Sequence, residues 1–485
     1  MVFSSSVFIL IFLPICLAGY YLVKQRKYKN AFLLVMSLLF YAWGEPRFAI
    51  LMVISILVNY TLAIIIAFKH EKNENPREVL IVAIVWNIGL LFVFKYLSFV
   101  LENLNKVIPN VPIISISLPI GISFFTFQAL SYVIDVYRKK CKVQTSLLDL
   151  ALYIAFFPQL VAGPIVMYGT IEKQLRERKE SLEMFSDGVK RFIIGLVKKS
   201  ILANEFAVIS DRVFTKGTTL SLITAWIGII CYTFQIYYDF SGYSDMAIGL
   251  GKMFGFEFLE NFNYPYVSKS IREYWRRWHI SLGAWFKEYV YYPVLTSKWL
   301  ANTNQVIKKR FGRNAVKKTS VIIPLIITWM ATGIWHGASW NYIIWGGYYS
   351  LIIIGENVFW GKSLEKKPHI VQYFYVFTIL IFARVMVKTN SLSEFINYIS
   401  ALLSIRYGVA DPLGVIMWQS HFFLILLGAV FSAPTVPFMR GKIMASSFGK
   451  SILEYLEPLV YFLMFICAMS FILNGSYNPF IYFNF

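Results

Sequence analysis

His336 is the residue in this sequence with the clearest capacity for chemistry. It follows the apolar run 321–335 and lies between Trp335 and Trp340 in the segment TGIWHGASW. An ionisable side chain deep in a membrane is costly and is a functional hypothesis by default. A lone deep histidine, with no metal partner and no paired acid, best fits a general base that takes a proton from a hydroxyl, a role that contributes about 10²–10⁴ in rate.

A structural role for His336 competes with this catalytic one. Gly333 and Gly337 flank the histidine, and they allow close backbone approach or a local interruption of the helix. A buried histidine can also join two helices by a hydrogen bond, which is worth about 0.6 kcal/mol on average in membranes. The residues alone do not separate the two roles.

A second histidine, His279, lies in the segment WRRWHISL. If residues 267–289 form one helix, Arg272, Arg276 and His279 share a face, with tryptophans crowding the adjoining face. Such a helix is typical of the membrane interface. Two arginines in register with a histidine would also hold a phosphate-bearing ligand.

Two carboxylates, Asp239 and Asp245, lie among small residues in the segment YYDFSGYSDMAIGLG. The small residues permit tight helix packing. The carboxylates could pair with Arg272 or Arg276, or relay ions in a transporter, and the sequence leaves both interpretations open.

Other sources of chemistry are not indicated. The sequence has no G-x-S-x-G, no glycine-rich phosphate loop and no H-E-x-x-H motif. Its four cysteines have neither disulfide-framework nor zinc spacing, so we expect no metal site. Three histidines near segment ends are assigned no role: His70, His369 and His421.

The elements that must position these residues are membrane helices. Of the 485 residues, 58% are hydrophobic and 15% are charged, against about 45–50% and 25% in soluble domains. Six apolar runs approach or reach the roughly 20 residues that cross a bilayer: 7–23, 48–68, 79–99, 118–136, 222–238 and 453–473. We predict an all-α polytopic fold of about eleven membrane elements in a single domain, 1–485, with N-terminal spans to about 140, a core at 141–345, and C-terminal spans and a tail at 346–485.

The formal charge of +20 comes from basic clusters between the apolar runs. The positive-inside rule explains these clusters without nucleic acid, and we expect them to contact anionic membrane lipids. Since the cluster at 24–29 follows the first apolar run, we expect the N-terminus outside. We also expect the first run to remain as a span, because it has neither the basic start nor the small-residue cleavage site of a signal peptide.

Three interruptions are predicted between the spans. Residues 153–166 contain Pro158, Gly163 and Pro164 and are expected to form a re-entrant hairpin buried in protein. Residues 170–185, with charges of alternating sign, are expected to form a surface helix. The charged stretch 298–318 is too short to fold alone.

Five segments together resemble the membrane-bound O-acyltransferase (MBOAT) family, and within it the bacterial branch that modifies polysaccharides. They are WRRWHISL, TGIWHGASWNYIIWG, YYDFSGYSDMAIGLG, FFPQLVAGPI and the C-terminal PFIYFNF. The resemblance covers nearly the whole chain. It implies a ring of helices around a thinned centre in the bacterial cytoplasmic membrane, where a funnel from each side meets near His336. It also favours an active-site role for His279.

The implied chemistry is acyl transfer across the bilayer. An acetyl thioester, expected to be acetyl-CoA, enters from the cytoplasm, and His336 deprotonates the accepting hydroxyl. The resemblance also implies an external esterase-like partner that passes the acetyl group to a polysaccharide. Further candidates for binding substrate or donor are Arg272, Arg276, Asp239, Trp335 and Asn341.

Tyr482, in the aromatic C-terminal segment, is a candidate acyl carrier by the same resemblance, or else an interfacial anchor. Two rival functions remain open. One is a D-alanyl or longer acyl group in place of acetyl, and the other is a transporter or channel with an Asp/His relay.

Overall fold

The computed structural model describes residues 1–217 and 219–475, and within them the regular structure is helical. The one β-type pairing in this part of the chain is an isolated bridge between Phe262 and Trp278. The helices, in chain order, are α1 (Phe8–Leu22), α2 (Arg26–Ala42), α3 (Pro46–Glu71), α4 (Arg77–Asn105), α5 (Ile122–Tyr137), α6 (Leu147–Ala155), α7 (Phe157–Leu160), α8 (Tyr168–Glu177), α9 (Leu182–Val197), α10 (Asn204–Thr215), α11 (Leu222–Met253), α12 (Ile271–Arg277), α13 (Ile280–Phe286), α14 (Tyr292–Leu295), α15 (Lys298–His336), α16 (Trp340–Gly355), α17 (Gly361–Glu365), α18 (His369–Lys388), α19 (Leu392–Leu403), α20 (Pro412–Phe431), α21 (Thr435–Met444) and α22 (Ser447–Asn474).

Six of the described helices are long and apolar enough to cross a membrane: α3, α4, α15, α18, α20 and α22. Three shorter apolar helices, α1, α5 and α19, accompany them. Four of the six apolar runs picked out in the sequence lie wholly within helices, whereas 7–23 extends one residue beyond each end of α1 and 118–136 begins four residues before α5. The predicted all-α polytopic fold is therefore confirmed, whereas the count of about eleven membrane elements is not.

Residue contacts divide the chain into two compact units. The first comprises Met1–Phe192 and Tyr243–Glu260. The second comprises Ile193–Gly242 and the described residues from Asn261 onward, and it holds both candidate histidines. The single domain expected for residues 1–485 stays a prediction.

Residues 153–166 are interrupted as expected. Helix α6 gives way to extended backbone at Phe156 (ψ 114°), and α7 has only four residues. Every residue of the segment is buried, and the Tyr153 hydroxyl donates to the carbonyl of Val166 at 2.8 Å. Irregular backbone at membrane depth is tolerated where protein covers it. The interruption and its burial are confirmed, and its re-entrant course stays a prediction.

The continuous surface helix expected over 170–185 is wrong, because α8 and α9 are separated by 178–181. Glu180, in this break, accepts hydrogen bonds from Arg26 at 2.5 Å and Lys29 at 3.1 Å. Arg178 is buried and donates to a backbone carbonyl and a tyrosine hydroxyl. The alternating charges suggested a continuous helix, but in the break between α8 and α9 these side chains are instead bonded to other parts of the chain.

Helix α15 carries His336 at its C-terminal end and is bent at Gly312, whose φ of 80° and ψ of 178° are non-helical. The charged stretch expected as an interruption is thus helical on both sides of that glycine. Asn304 donates to Ser320 at 3.0 Å and accepts from Thr319 at 3.0 Å, which shows that the two halves double back on each other.

Helices α15 and α16 pack backbone to backbone beside the candidate site. A Cβ atom on Gly333 would lie 2.5 Å from the carbonyl oxygen of Tyr342 and 2.9 Å from the Cα of Gly346. A Cβ atom on Gly337 would lie 2.3 Å from the ring of Tyr342. The predicted close backbone approach is confirmed at Gly333, whereas Gly337 follows the last helical residue and makes room for the ring of Tyr342. Both contacts fix the end of α15 that bears His336.

Candidate active site

The single helix predicted across 267–289 is wrong, because the chain leaves the helical conformation at Trp278 and His279. Trp278 is extended (φ −106°, ψ 126°) and His279 is left-handed (φ 47°, ψ 53°). Backbone hydrogen bonds and an antiparallel bridge tie this break to residues 261–263. Left-handed backbone at a residue other than glycine is costly and clusters at functional sites.

The imidazole of His279 is held by Asn261. Its Nδ1 lies 3.1 Å from the Asn261 Oδ1, which also accepts from the backbone N–H of Ser281 at 3.2 Å and from its hydroxyl at 2.9 Å. His279 lies outside the candidate spans, and burial, followed by electrostatic repulsion from His336, lowers its pKa well below the ordinary value. Both effects favour the neutral imidazole over the imidazolium.

Trp335 contacts both histidines. Its ring centroid is 6.2 Å from that of His279 and 5.0 Å from that of His336. His336 is 6% exposed, and its ring also lies 4.9 Å from the ring of Trp345. The structure thus brings three of the predicted site residues, His279, Trp335 and His336, into one buried cluster.

A cavity of about 600 Å³ adjoins this cluster and has His279 in its wall. Four residues of α15 line it at helical spacing: Leu325, Thr328, Trp329 and Thr332. His336 comes four residues after Thr332, so it continues the same helix face about 6 Å further along the axis. The volume lies within the range of about 300–1,000 Å³ typical of ligand sites.

The two predicted donor-binding arginines both line this cavity, but their surroundings differ. Arg272 is bonded to Glu356 at 3.3 Å and to Glu365 at 3.1 Å, so its charge is already balanced. Arg276 is exposed and has no hydrogen-bond or ion-pair partner in residues 1–217 and 219–475. Arg276 is therefore the guanidinium available to a bound anion.

Asp239 and Asp245 do not pair with these arginines, so that sequence interpretation is wrong. Asp239 forms an ion pair with Lys199 at 2.6 Å, and Asp245 forms one with Arg191 at 2.6 Å. Gly242, between the two carboxylates, lets this segment pack closely, because a Cβ atom there would lie 2.8 Å from the carbonyl oxygen of Gly195 and 3.1 Å from the backbone nitrogen of Lys199. Asp239 is thus held by a neighbouring helical segment and does not line the cavity.

Asn341, another predicted binding residue, lies at the start of α16. Its amide donates to the carbonyl of Thr389 at the end of α18. Thr389 lines a second cavity, of about 630 Å³, whose wall also carries the ion pair of Asp211 with Lys388. Asn341 therefore adjoins the second cavity and not the cavity beside His279.

Three supporting residues escaped the sequence analysis. Asn261 lies in a loop with no distinguishing pattern. The side chain of Glu356 is fully buried and accepts the first backbone N–H groups of α12 at 2.7 and 2.9 Å. Arg384 donates to the hydroxyl of Tyr274 at 3.0 Å. The rule that flags ionisable residues in apolar segments would have found Arg384, whereas nothing in the sequence pointed to the other two.

Two expectations remain. In the described ranges, no group of three or more His, Cys, Asp or Glu side chains is arranged to hold a metal ion. Tyr482, the candidate acyl carrier, lies outside the described residues.

Comparison with known proteins gives a consistent result. The model of the membrane-bound O-acyltransferase family matches residues 35–306, a range that includes His279. Relatives aligned over the whole chain extend the similarity past His336. The probable alginate O-acetylase AlgI of Pseudomonas putida is 33% identical, with 100% of both chains covered. The peptidoglycan O-acetyltransferase of Helicobacter pylori is 30% identical, with 100% of this chain and 98% of the relative covered.

A more distant similarity covers part of the chain. The teichoic acid D-alanyltransferase of Bacillus subtilis is 28% identical, over 62% of this chain and 73% of the relative. These matches support an acyltransferase and give no support to a transporter or channel. The chain belongs to the membrane-bound O-acyltransferase family, and it is a membrane O-acyltransferase.

Proposed function

We propose that this protein is the membrane subunit that moves an acetyl group from a cytoplasmic thioester, acetyl-CoA, across the bacterial cytoplasmic membrane for O-acetylation of an extracellular or cell-wall polysaccharide. The observation that carries the proposal is the buried cluster of His279, Trp335 and His336 beside a cavity with an unpaired arginine. The choice of acetyl is supported by the two relatives that align over the full chain, both of which are named for acetylation.

The donor would occupy the cavity lined by Arg276 and His279. Arg276 has its charge available, and Lys287 adds a second exposed cation to the same wall. Coenzyme A carries several negative charges, and a phosphate is bound well by a planar guanidinium. The indoles of Trp275 and Trp329, 4.8 Å apart in the cavity wall, supply apolar surface for the rest of the donor.

In the reaction, His336 takes the proton of the accepting hydroxyl as its oxygen attacks the thioester carbonyl. The new C–O bond forms, the C–S bond breaks, and the thiolate leaves with a proton returned by the imidazolium of His336. Two neighbouring imidazoles disfavour double protonation, so a neutral His279 lets His336 carry the proton alone. Burial of the cluster excludes water that would hydrolyse the thioester.

The acceptor is proposed to approach from the opposite side of the membrane. The cavity lined by Thr389 adjoins Asn341, which follows His336 by five residues. Tyr482 would receive the acetyl group as an ester, and an external esterase-like partner would pass it to the polymer. With basic clusters facing the cytoplasm, the N-terminus would lie outside.

The deciding experiment compares His336→Ala with His421→Ala. His421 lies in α20, and its ring nitrogen is 3.1 Å from the carbonyl of Met417 four residues earlier. In cells that make the acceptor polymer, we expect His336→Ala to abolish ester-linked acetate while membrane protein levels stay normal. We expect His421→Ala to retain it. Full acetylation in the His336→Ala strain would overturn the proposal.

The same assay separates the donor alternatives. Mild alkaline release followed by mass spectrometry identifies the transferred acyl group, and we expect acetate. Recovery of D-alanine or a longer acid would leave the enzyme class intact and replace the substrate.

A further inference from the structure

We propose that Asn261 is a positioning residue that holds His279 with its proton on Nδ1, so that Nε2 is the basic nitrogen at the cavity wall. Asn261 thereby selects which nitrogen of this imidazole is protonated. Its consequence for catalysis rests on the proposed function.

The orientation of the Asn261 amide is fixed by a group with only one possible role. The backbone N–H of Ser281 can only donate, and it lies 3.2 Å from the Asn261 Oδ1. That atom must therefore be the carbonyl oxygen and not the amide nitrogen. The Ser281 hydroxyl, 2.9 Å from the same atom, fits the same assignment.

The tautomer of His279 follows from this orientation. Its Nδ1 lies 3.1 Å from an oxygen that can only accept, so Nδ1 must carry hydrogen. In a neutral imidazole the second nitrogen, Nε2, then holds the lone pair. His279 forms part of the cavity wall, and of its two ring nitrogens Nε2 is then the one able to accept a proton or a hydrogen bond.

The ring is also restrained against turning over. Phe240 packs edge-on against it, with ring centroids 4.5 Å apart at 89°, and Trp335 contacts it at 6.2 Å. The left-handed backbone at His279 and the bonds to residues 261–263 fix the direction from which the side chain leaves. Aromatic packing thus sets the plane of the ring, and Asn261 sets which edge is protonated.

An amide serves this purpose better than a carboxylate would. A buried aspartate beside His279 would favour the imidazolium, whereas asparagine accepts the hydrogen bond without adding charge. Asn261 is fully buried, and within residues 1–217 and 219–475 its Nδ2 has no hydrogen-bond partner. The hydrogen bonds of this side chain are therefore all made by its oxygen.

Nuclear magnetic resonance of the full-length protein in lipid nanodiscs tests the proposal. The chain has five histidines, so ¹⁵N,¹³C-histidine labelling gives few signals, and His279→Gln identifies the one from His279. In wild type we expect the neutral tautomer protonated on Nδ1. In Asn261→Leu we expect a shift towards the tautomer protonated on Nε2. Asn261→Asp should keep Nδ1 protonated, and Ser281→Ala, which removes a different donor to the same oxygen, should leave the His279 signal unchanged.

Activity adds a second readout. Asn261→Leu should lower kcat by about 10²-fold or more, within the range for loss of a correctly poised acid–base group, with little change in the KM for acetyl-CoA. Protonation of His279 on Nε2 in wild type, or an unchanged signal in Asn261→Leu, would overturn the inference. If Asn261→Leu does not fold, the wild-type and Asn261→Asp spectra still decide. If the proposed function itself is wrong, the His336→Ala variant will remain active, and this result does not depend on which tautomer His279 adopts.

Discussion

Lys199 and Asp239 form an ion pair from which water is almost excluded. Their nitrogen and oxygen are 2.6 Å apart, and each side chain is only 2% exposed. The pair lies in the unit that holds both candidate histidines, and it joins the π-helical segment Lys198–Ala203 to α11. Two buried charges cost several kcal/mol each to desolvate, so each depends on the other.

Removal of one partner should therefore be severe. We expect Lys199→Met to destabilise the protein by about 3–5 kcal/mol, because Asp239 would remain buried without its counter-charge. The double variant Lys199→Met with Asp239→Leu should recover much of that loss. The measurement is the midpoint of thermal unfolding in nanodiscs.

The matched control is an exposed pair. Lys252 and Asp187 are 3.7 Å apart, with side chains 34% and 54% exposed. Lys252→Met should change stability by about 0–1 kcal/mol. Equal effects of Lys199→Met and Lys252→Met would show that the buried pair is not a stabilising unit.

Gly333 should tolerate no side chain. A Cβ atom there would lie 2.5 Å from a backbone oxygen, so Gly333→Ala must push α15 and α16 apart. Overpacking of this kind costs about 1–3 kcal/mol, and we expect a lower unfolding midpoint together with reduced transfer activity, since His336 follows on the same helix. Gly347→Ala is the control, because the nearest atom to its Cβ would be 3.9 Å away. If Gly333→Ala matches Gly347→Ala, the helices are not as closely packed as described.

Glu180 gives a prediction for acid pH. Burial raises the pKa of Glu180, but hydrogen bonds from Arg26, Tyr20 and Lys29 lower it by more, so the net pKa is about 2. A carboxyl group with a depressed pKa stabilises the fold above its unfolded pKa and loses that contribution as pH falls towards the folded value. The difference from the ordinary value of 4.5 corresponds to about 3 kcal/mol before solvent screening, which lowers the contribution of this partly exposed side chain towards about 1 kcal/mol.

Glu180→Gln should therefore lower the unfolding midpoint at pH 7, and the gap to wild type should narrow between about pH 4.5 and pH 2. Glu183→Gln serves as the control, since Glu183 is an exposed carboxylate in the first turn of α9. A constant gap across that pH interval would contradict the assigned ion pairs.

The sequence predicts the all-α membrane fold and the burial of His336, because both depend on local properties. A long apolar run must be a helix in a bilayer, and His336 stands out because an ionisable group there is expensive. Gly333 was likewise recognised from its place on the same helix. These inferences needed only neighbouring residues.

The supporting residues needed contacts between distant parts of the chain. The partner of His279 is Asn261, which lies in another loop, and the partner of Asp239 is Lys199, on another helical segment. A helical periodicity over 267–289 suggested one continuous face, but backbone bonding to residues 261–263 breaks that helix at His279. No local pattern encodes such pairings. For this reason the sequence suggested Arg272 or Arg276 as partners of Asp239 and Asp245, whereas the actual partners are Lys199 and Arg191.

Arg276 provides the sharpest test of how the donor is held. It lines the cavity without a partner in the described part of the chain, whereas the adjacent Arg277 is bonded to Glu273 at 2.9 Å. A charge-assisted hydrogen bond to phosphate contributes about 1.5–3 kcal/mol, so Arg276→Gln should raise the KM for acetyl-CoA by roughly 10- to 100-fold with a smaller change in kcat. Arg277→Gln removes the same charge one residue away but does not line the cavity, and it should leave KM near wild type. Steady-state kinetics of both variants at two salt concentrations would also separate direct binding from long-range attraction, which salt screens. If the two variants raise KM equally, Arg276 acts only through the general positive field, and the donor does not contact it.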